Sequence, residues 1–197
     1  MYSVVVLISG SGSNLRALLE AATSADYPAR VVAVGADREC AGLTHADEFG
    51  IPTFVVDPAA FSSRDEWGSA LVGAIEPWQP DLVVCAGFMR ILPAPVVAAL
   101  HPRLINMHPA LLPLYPGAHA VRDALADGAV VTGATIHVVD EGVDTGPVIR
   151  AREVAVHPDD SETSLHERIK VEERQLIVET VADIAREHID LEEISRR

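Results

Sequence analysis

The sequence predicts an α/β protein with a mainly parallel sheet, on three observations. Five apolar, β-branched-rich runs show continuous rather than alternating hydrophobicity, the pattern of strands buried on both faces. These runs alternate with segments whose apolar residues recur at helical spacing. A later pair of runs, 133–139 and 147–154, has no helix-length segment between its members, which predicts an antiparallel extension of the sheet.

The first strand is Val4 to Ile8, followed by the turn Ser9-Gly-Ser-Gly-Ser13-Asn14 and a helix over 14–24 with Leu15, Leu18, Leu19 and Ala22 on one face. Strands at Val31–Val34, Thr53–Val56, Leu82–Ala86 and Leu104–Met107 follow, interleaved with helices around 41–49, 63–76 and 94–100. Residues 110–131 read as a loop. The last helix opens at Ser161, a capping residue, and runs towards Glu187 with Ile169, Leu176, Ile177 and Val181 at helical spacing. Helices on both faces of a mostly parallel sheet make a Rossmann-like fold. In such folds ligands bind beyond the carboxyl ends of the strands, where Gly12, Gly87 and His108 fall.

A chain of 197 residues fits one domain, 1–197, which can bury around 70% of its unfolded surface. No repeat, linker or low-complexity run interrupts it. Met1 leads directly into a core strand and no apolar stretch reaches the roughly 18 residues of a membrane helix, so the expected setting is cytoplasmic, with no membrane. The balance of 15 basic against 29 acidic residues, net −14, opposes binding to nucleic acid or anionic membranes. Anionic small ligands therefore need a few placed cations, and Arg64, Arg90 and Lys170 are the candidates. Cys40 and Cys85 form no Cys-x-x-Cys pair and read as free thiols, while the 8 histidines form no compact ligand cluster, so no metal is expected.

Three segments carry chemistry. In Asn106-Met-His108 the side chains of Asn106 and His108 point the same way from backbones roughly 6–7 Å apart, so both can reach one small carbonyl. The Ser9–Leu15 turn couples glycines to a helix N-terminus, whose free N–H groups favour phosphate. Gly10-x-Gly12 with Asp37 also begins a dinucleotide fingerprint, but Leu15 stands where its third glycine would, and Ser13 and Asn14 suit a phosphate monoester better. The third segment runs from Thr135 through His137 and the acidic loop Asp140-Glu141-Gly142-Val143-Asp144. Asp144 is the candidate partner of His108, since a nearby carboxylate favours the protonated imidazole. Taken alone, His137 reads as a hydrogen-bonded core histidine and His119 as a surface residue.

Together, Ile8–Leu15, Ser63-Arg64, Ala86-Gly-Phe-Met-Arg-Ile-Leu92, Asn106–Pro113, Tyr115–His119 and Asp144-Thr-Gly-Pro147 resemble the folate-dependent formyltransferase family, in order and spacing along nearly the whole chain. Leu114 departs from the family pattern, where many relatives carry Lys. The resemblance implies the formyltransferase fold and transfer of a formyl group from 10-formyltetrahydrofolate, as co-substrate, to the amine of 5'-phosphoribosylglycinamide. Asn106, His108 and Asp144 would be catalytic. Gly12, Ser13, Asn14, Gly87, Pro109, Lys170 and Glu173 would bind the ribonucleotide. Arg64, Met89, Arg90, Ile91, Leu92, Asn106 and Val139, Asp140, Glu141, Gly142, Val143, Asp144 would contact the folate. No nucleic acid or metal enters this reading, and a homodimer is left open. The alternatives are another folate-dependent transferase or hydrolase of the same fold, and a non-catalytic nucleotide-binding module.

Overall fold

The computed structural model describes residues 1–196. Seven strands form one sheet in the order β3-β2-β1-β4-β5-β6-β7. They are β1 (Tyr2–Ile8), β2 (Ala29–Ala36), β3 (Thr53–Val55), β4 (Leu82–Cys85), β5 (Leu104–His108), β6 (Val131–Val138) and β7 (Val148–Ala155). The first five are parallel, and β6 reverses direction against β5 and β7 against β6. The expected mostly parallel sheet with an antiparallel extension is what forms.

The helices are α1 (Ser13–Ala21), α2 (Leu43–Glu48), α3 (Arg64–Ile75), α4 (Ala94–Leu100), α5 (Ala120–Ala126), α6 (Glu162–Ala185) and α7 (Leu191–Ser195). Alternation along β1 feeds two cores. Val4, Val6 and Ile8 join Leu15 and Leu18 of α1 and Leu165, Ile169, Leu176 and Ile177 of α6 on one face. Val5 and Leu7 join Trp67 and Leu71 of α3 and Val96 and Leu100 of α4 on the other. Each fully buried Leu or Ile contributes about 1.5–3 kcal/mol, so truncating Leu176 to Ala costs about 2–5 kcal/mol. Ser161 begins α6 with a capping box: its hydroxyl accepts from the Ser164 amide at 3.1 Å while the Ser164 hydroxyl accepts from the Ser161 amide at 2.9 Å.

One expectation is corrected. The stretch 110–131 is not all loop, because α5 lies within it. Its buried face is only Ala120, Val121 and Ala124, too few and too small to raise a periodic signal over two turns.

At the outer edge of the sheet, β7 holds its arginines against α6. Arg150 pairs with Asp183 at 2.7 Å and Arg152 with Glu179 at 2.7 Å, with Gln175 accepting from Arg152 at 3.1 Å. Among the described residues no helix is long and apolar enough to cross a membrane, and no group of His, Cys, Asp or Glu is disposed to hold a metal.

Candidate active site

A cavity of about 300 Å³ opens at the carboxyl ends of β4 and β5. β5 delivers Asn106 and His108 to it, two residues apart on one face. Because β6 runs antiparallel, His137 stands directly opposite Asn106 in the register, and directly opposed residues share a face of the sheet. His137 donates from Nδ1 to the Val138 carbonyl at 2.9 Å, which leaves its Nε2 lone pair to accept from Asn106 Nδ2 at 3.1 Å.

Asp144 lies in the β6–β7 loop with φ +55°, a left-handed conformation uncommon outside glycine. The loop is tightened from within: Asp140 accepts from the Gly142 amide at 3.0 Å and from the Thr145 hydroxyl at 2.8 Å. A Cβ on Gly146 would run into the Val138 carbonyl, so the path there requires glycine. Asp144 Oδ2 accepts from the Gly117 amide at 2.7 Å and lies 3.3 Å from His108 Nδ1. Its Oδ1 is 3.4 Å from Asn106 Nδ2 and 3.5 Å from His137 Nε2. On its other side His108 donates from Nε2 to the Tyr115 carbonyl at 2.8 Å.

The electrostatics correct one sequence expectation. Burial pushes the His108 imidazole below its usual 6.5, and the pull of the Asp144 charge and the Tyr115 carbonyl does not offset it. His108 is thus held neutral near pH 7 rather than cationic. For Asp144, burial also works against the charge, but the hydrogen bonds it accepts, that from the Gly117 amide at 2.7 Å among them, outweigh it and hold the carboxyl below its usual range. The pair is a carboxylate beside a neutral imidazole, able to take one proton between them.

Of the other residues singled out in the sequence, Gly87, Met89, Arg90, Ile91, Leu92, Pro109, Val139, Asp140, Gly142 and Val143 line the same cavity. Glu141 is exposed to solvent instead. Arg64 is not in the lining; it donates to the Ile91 carbonyl at 2.7 Å and so braces the 89–92 segment from outside. The lining also takes in His137, which is the hydrogen-bonded buried histidine expected and a member of the polar cluster as well.

A second polar region lies where α1 meets α6. Gly12 occupies the N-cap position of α1 at φ +71° with no side-chain cap, so the first-turn N–H groups have no side chain over them. A Cβ there would come within 2.8 Å of Gly42 Cα. Asn14 does not cap the helix. Its Nδ2 donates to Glu173 Oε2 at 3.1 Å, and its Oδ1 is buried with no hydrogen-bond partner. Burial pushes the Glu173 carboxyl up, against the opposing effect of Asn14. Lys170 is turned to Glu167 at 2.7 Å, so its ammonium is engaged on its own helix.

Sequence reasoning missed the Tyr115 carbonyl and the Gly117 amide, because backbone groups have no side-chain signature. The one cue was the Tyr-Pro-Gly turn, where Tyr115 and Gly117 both take positive φ. It also missed Ser9, whose hydroxyl accepts from the Met89 amide at 2.8 Å.

The chain is similar to known proteins along most of its length. Residues 2–181 match the family described as formyl transferase. A phosphoribosylglycinamide formyltransferase of Mycobacterium tuberculosis is 54% identical over 92% of this chain and 84% of its own length. The Escherichia coli (strain K12) protein of the same name is 41% identical over 88% of this chain and 82% of its own. The structure of glycinamide ribonucleotide transformylase 1 from Symbiobacterium toebii superposes with a TM-score of 0.92 at 39% identity, covering 95% of this chain and 89% of that one.

Proposed function

The chain belongs to the formyl transferase family, and from that premise we propose that it transfers the formyl group of 10-formyltetrahydrofolate to the amine of 5'-phosphoribosylglycinamide, in de novo purine biosynthesis. The observation that carries the reading is the convergence of Asn106, His108 and His137 on Asp144 at one wall of a cavity. A separate polar region at α1 and α6 supports the ribonucleotide. There an uncapped helix N-terminus favours the phosphate, and the orphan Asn14 Oδ1 offers an acceptor for a hydroxyl or amine.

In this reading the amine lone pair attacks the formyl carbon directly, the carbonyl oxygen gains the negative charge, and the bond to the folate nitrogen breaks as that nitrogen gains a proton. The donors for the oxygen are the Asn106 amide and a His108 N–H. Within the protein these groups are engaged with His137 and Asp144 and with the Tyr115 carbonyl, so they exchange protein partners for substrate. Donors of this kind are worth about 3–4 kcal/mol each in other enzymes. The proton shed by the amine is taken up between His108 Nδ1 and Asp144, a site made ready by a neutral ring and an ionised carboxylate. No covalent enzyme intermediate is required.

The same reading has two small-molecule substrates, no nucleic acid partner and a cytoplasmic setting; the net charge of −14 supports the exclusion of nucleic acid. A spectroscopic assay with both substrates tests it. Tetrahydrofolate is expected to appear in step with formylated ribonucleotide, and only when the ribonucleotide is present. Formate release without the ribonucleotide would instead identify a hydrolase of the same fold.

A further inference from the structure

Asp37 directly follows β2 and is wholly buried, yet its bonds do not serve its own strand. Its Oδ2 accepts from Arg90 Nε at 2.6 Å and from an Arg38 terminal nitrogen at 3.0 Å. The Ser9 hydroxyl also bonds it. The oxygen of that hydroxyl accepts from the Met89 amide at 2.8 Å, and the Ser9 amide donates to the Gly87 carbonyl at 3.0 Å. One carboxylate therefore locates two consecutive residues of a cavity-lining segment, Met89 through Ser9 and Arg90 by direct ion pairing.

That segment needs anchoring. Met89 and Ile91 are 69% and 58% exposed, so side-chain packing does little to hold its first residues, while Leu92 is buried and Arg64 braces the Ile91 carbonyl beyond them. A buried carboxylate is costly unless paired, and here both the pairing and the relay run to the same stretch of chain. Among the described residues Asp37 makes no hydrogen bond to Asn106, His108 or Asp144.

We propose that Asp37 is a positioning residue for the formyl-donor pocket, holding Met89 and Arg90 in the geometry that receives the folate. The inference rests on the functional reading above. Without the anchor the segment samples other conformations, and the ligand must order it on binding. The effect falls on donor affinity rather than on the chemical step.

The test is a comparison of Asp37→Asn with wild type, measuring kcat, KM for 10-formyltetrahydrofolate, KM for the ribonucleotide, and Tm. The expected result is a rise of about 10-fold in donor KM, with kcat and ribonucleotide KM within about twofold. Arg90→Met should raise donor KM similarly, and the double variant should be little worse than the worse single, since groups acting through one contact are non-additive. Ser9→Ala should give a smaller rise in the same parameter. Asp37→Glu, which restores the charge, should recover part of the loss. An unchanged donor KM in Asp37→Asn overturns the inference, as does a fall in kcat and a rise in both KM values together with a lowered Tm, which marks a merely structural role. If Asp37→Asn does not fold, unchanged donor KM in both Arg90→Met and Ser9→Ala overturns it. A wild-type protein that neither turns over nor binds the folate overturns the functional reading, and this inference with it.

Discussion

The cluster around Asp144 and the junction of α1 with α6 are both polar regions, but they differ in how far their groups are satisfied within the protein. Asp144 accepts from the Gly117 amide on Oδ2 and has Asn106 Nδ2 beside Oδ1, and the His108 N–H is taken by the Tyr115 carbonyl. At the helix junction Asn14 Oδ1 is buried without a partner, Glu173 has its charge opposed by burial, and Gly12 leaves the helix end uncapped by any side chain. An orphan buried acceptor costs about 1–3 kcal/mol. Under the proposed function, the groups of the first region are held in place by protein partners, whereas those of the second remain under-satisfied, so a ligand that satisfies them would recover that cost as affinity.

The largest expected effects break the first region. His108→Ala and Asn106→Ala should each lower turnover by at least about 100-fold, with ribonucleotide affinity within a few-fold; near-normal turnover in either would remove the oxyanion role. Asp144→Asn should cost a similar factor with the fold intact. Its pH profile sharpens the point. His108 sits below 6.5, so in the wild type the imidazole is lost as a proton acceptor only when the pH falls through that lowered value. Removing the Asp144 charge, which opposes the effect of burial, should move the acid limb to still lower pH. A limb that stays in place would mean His108 does not sense Asp144.

An intermediate effect belongs to the second region. Gly12→Ala combines a left-handed φ with a Cβ forced against Gly42, and should weaken ribonucleotide binding by about 10-fold or more, as expected when a helix N-terminus is blocked. A folate analogue should bind within about twofold of wild type. Calorimetry showing equal losses for both ligands would erase the separation between the regions.

The smallest effect is on stability, and its sign is opposite. The Glu173 carboxyl titrates above its usual 4.5 in the folded protein, so its stabilising contribution is present below 4.5 and is lost as pH rises through the raised value. Glu173→Gln should therefore raise Tm at pH 7.5 by about 2–4 °C, the shift that about 1 kcal/mol produces at this chain length. The gain should fade towards pH 4.5, while ribonucleotide affinity falls. A lower Tm at neutral pH would show that the ionised Glu173 is stabilising and that the junction is already satisfied.

The strands were legible because a sheet buried on both faces leaves uninterrupted runs such as Val4–Ile8. Helix α5 was not, since two turns with a small buried face barely depart from loop composition. In the site, the two-residue spacing of Asn106 and His108 implied a shared face directly, whereas no spacing rule bridges the 36 residues from His108 to Asp144, so that pairing rested on the charge of Asp144 and on family resemblance. The charge state of His108 was out of reach because it depends on burial, which the pairing with Asp144 taken alone does not report. The destination of Asp37 was hidden similarly: an acid after a strand suits a ribose as well as an arginine, and only the fold brings Arg90 to it.

The two margins of the sheet bear on the behaviour of many copies in a crowded solution. An open strand edge is a template for another chain, and long, flat, apolar edges invite aggregation. Here one margin is β3, only three residues long, and the other is β7, where Arg150 and Arg152 are drawn down to acids on α6. Charged side chains and a short strand are both devices that discourage edge-to-edge pairing. Neutralising Arg150 and Arg152 together would strip one margin of its protection, and association between such chains would then grow by lengthening the sheet.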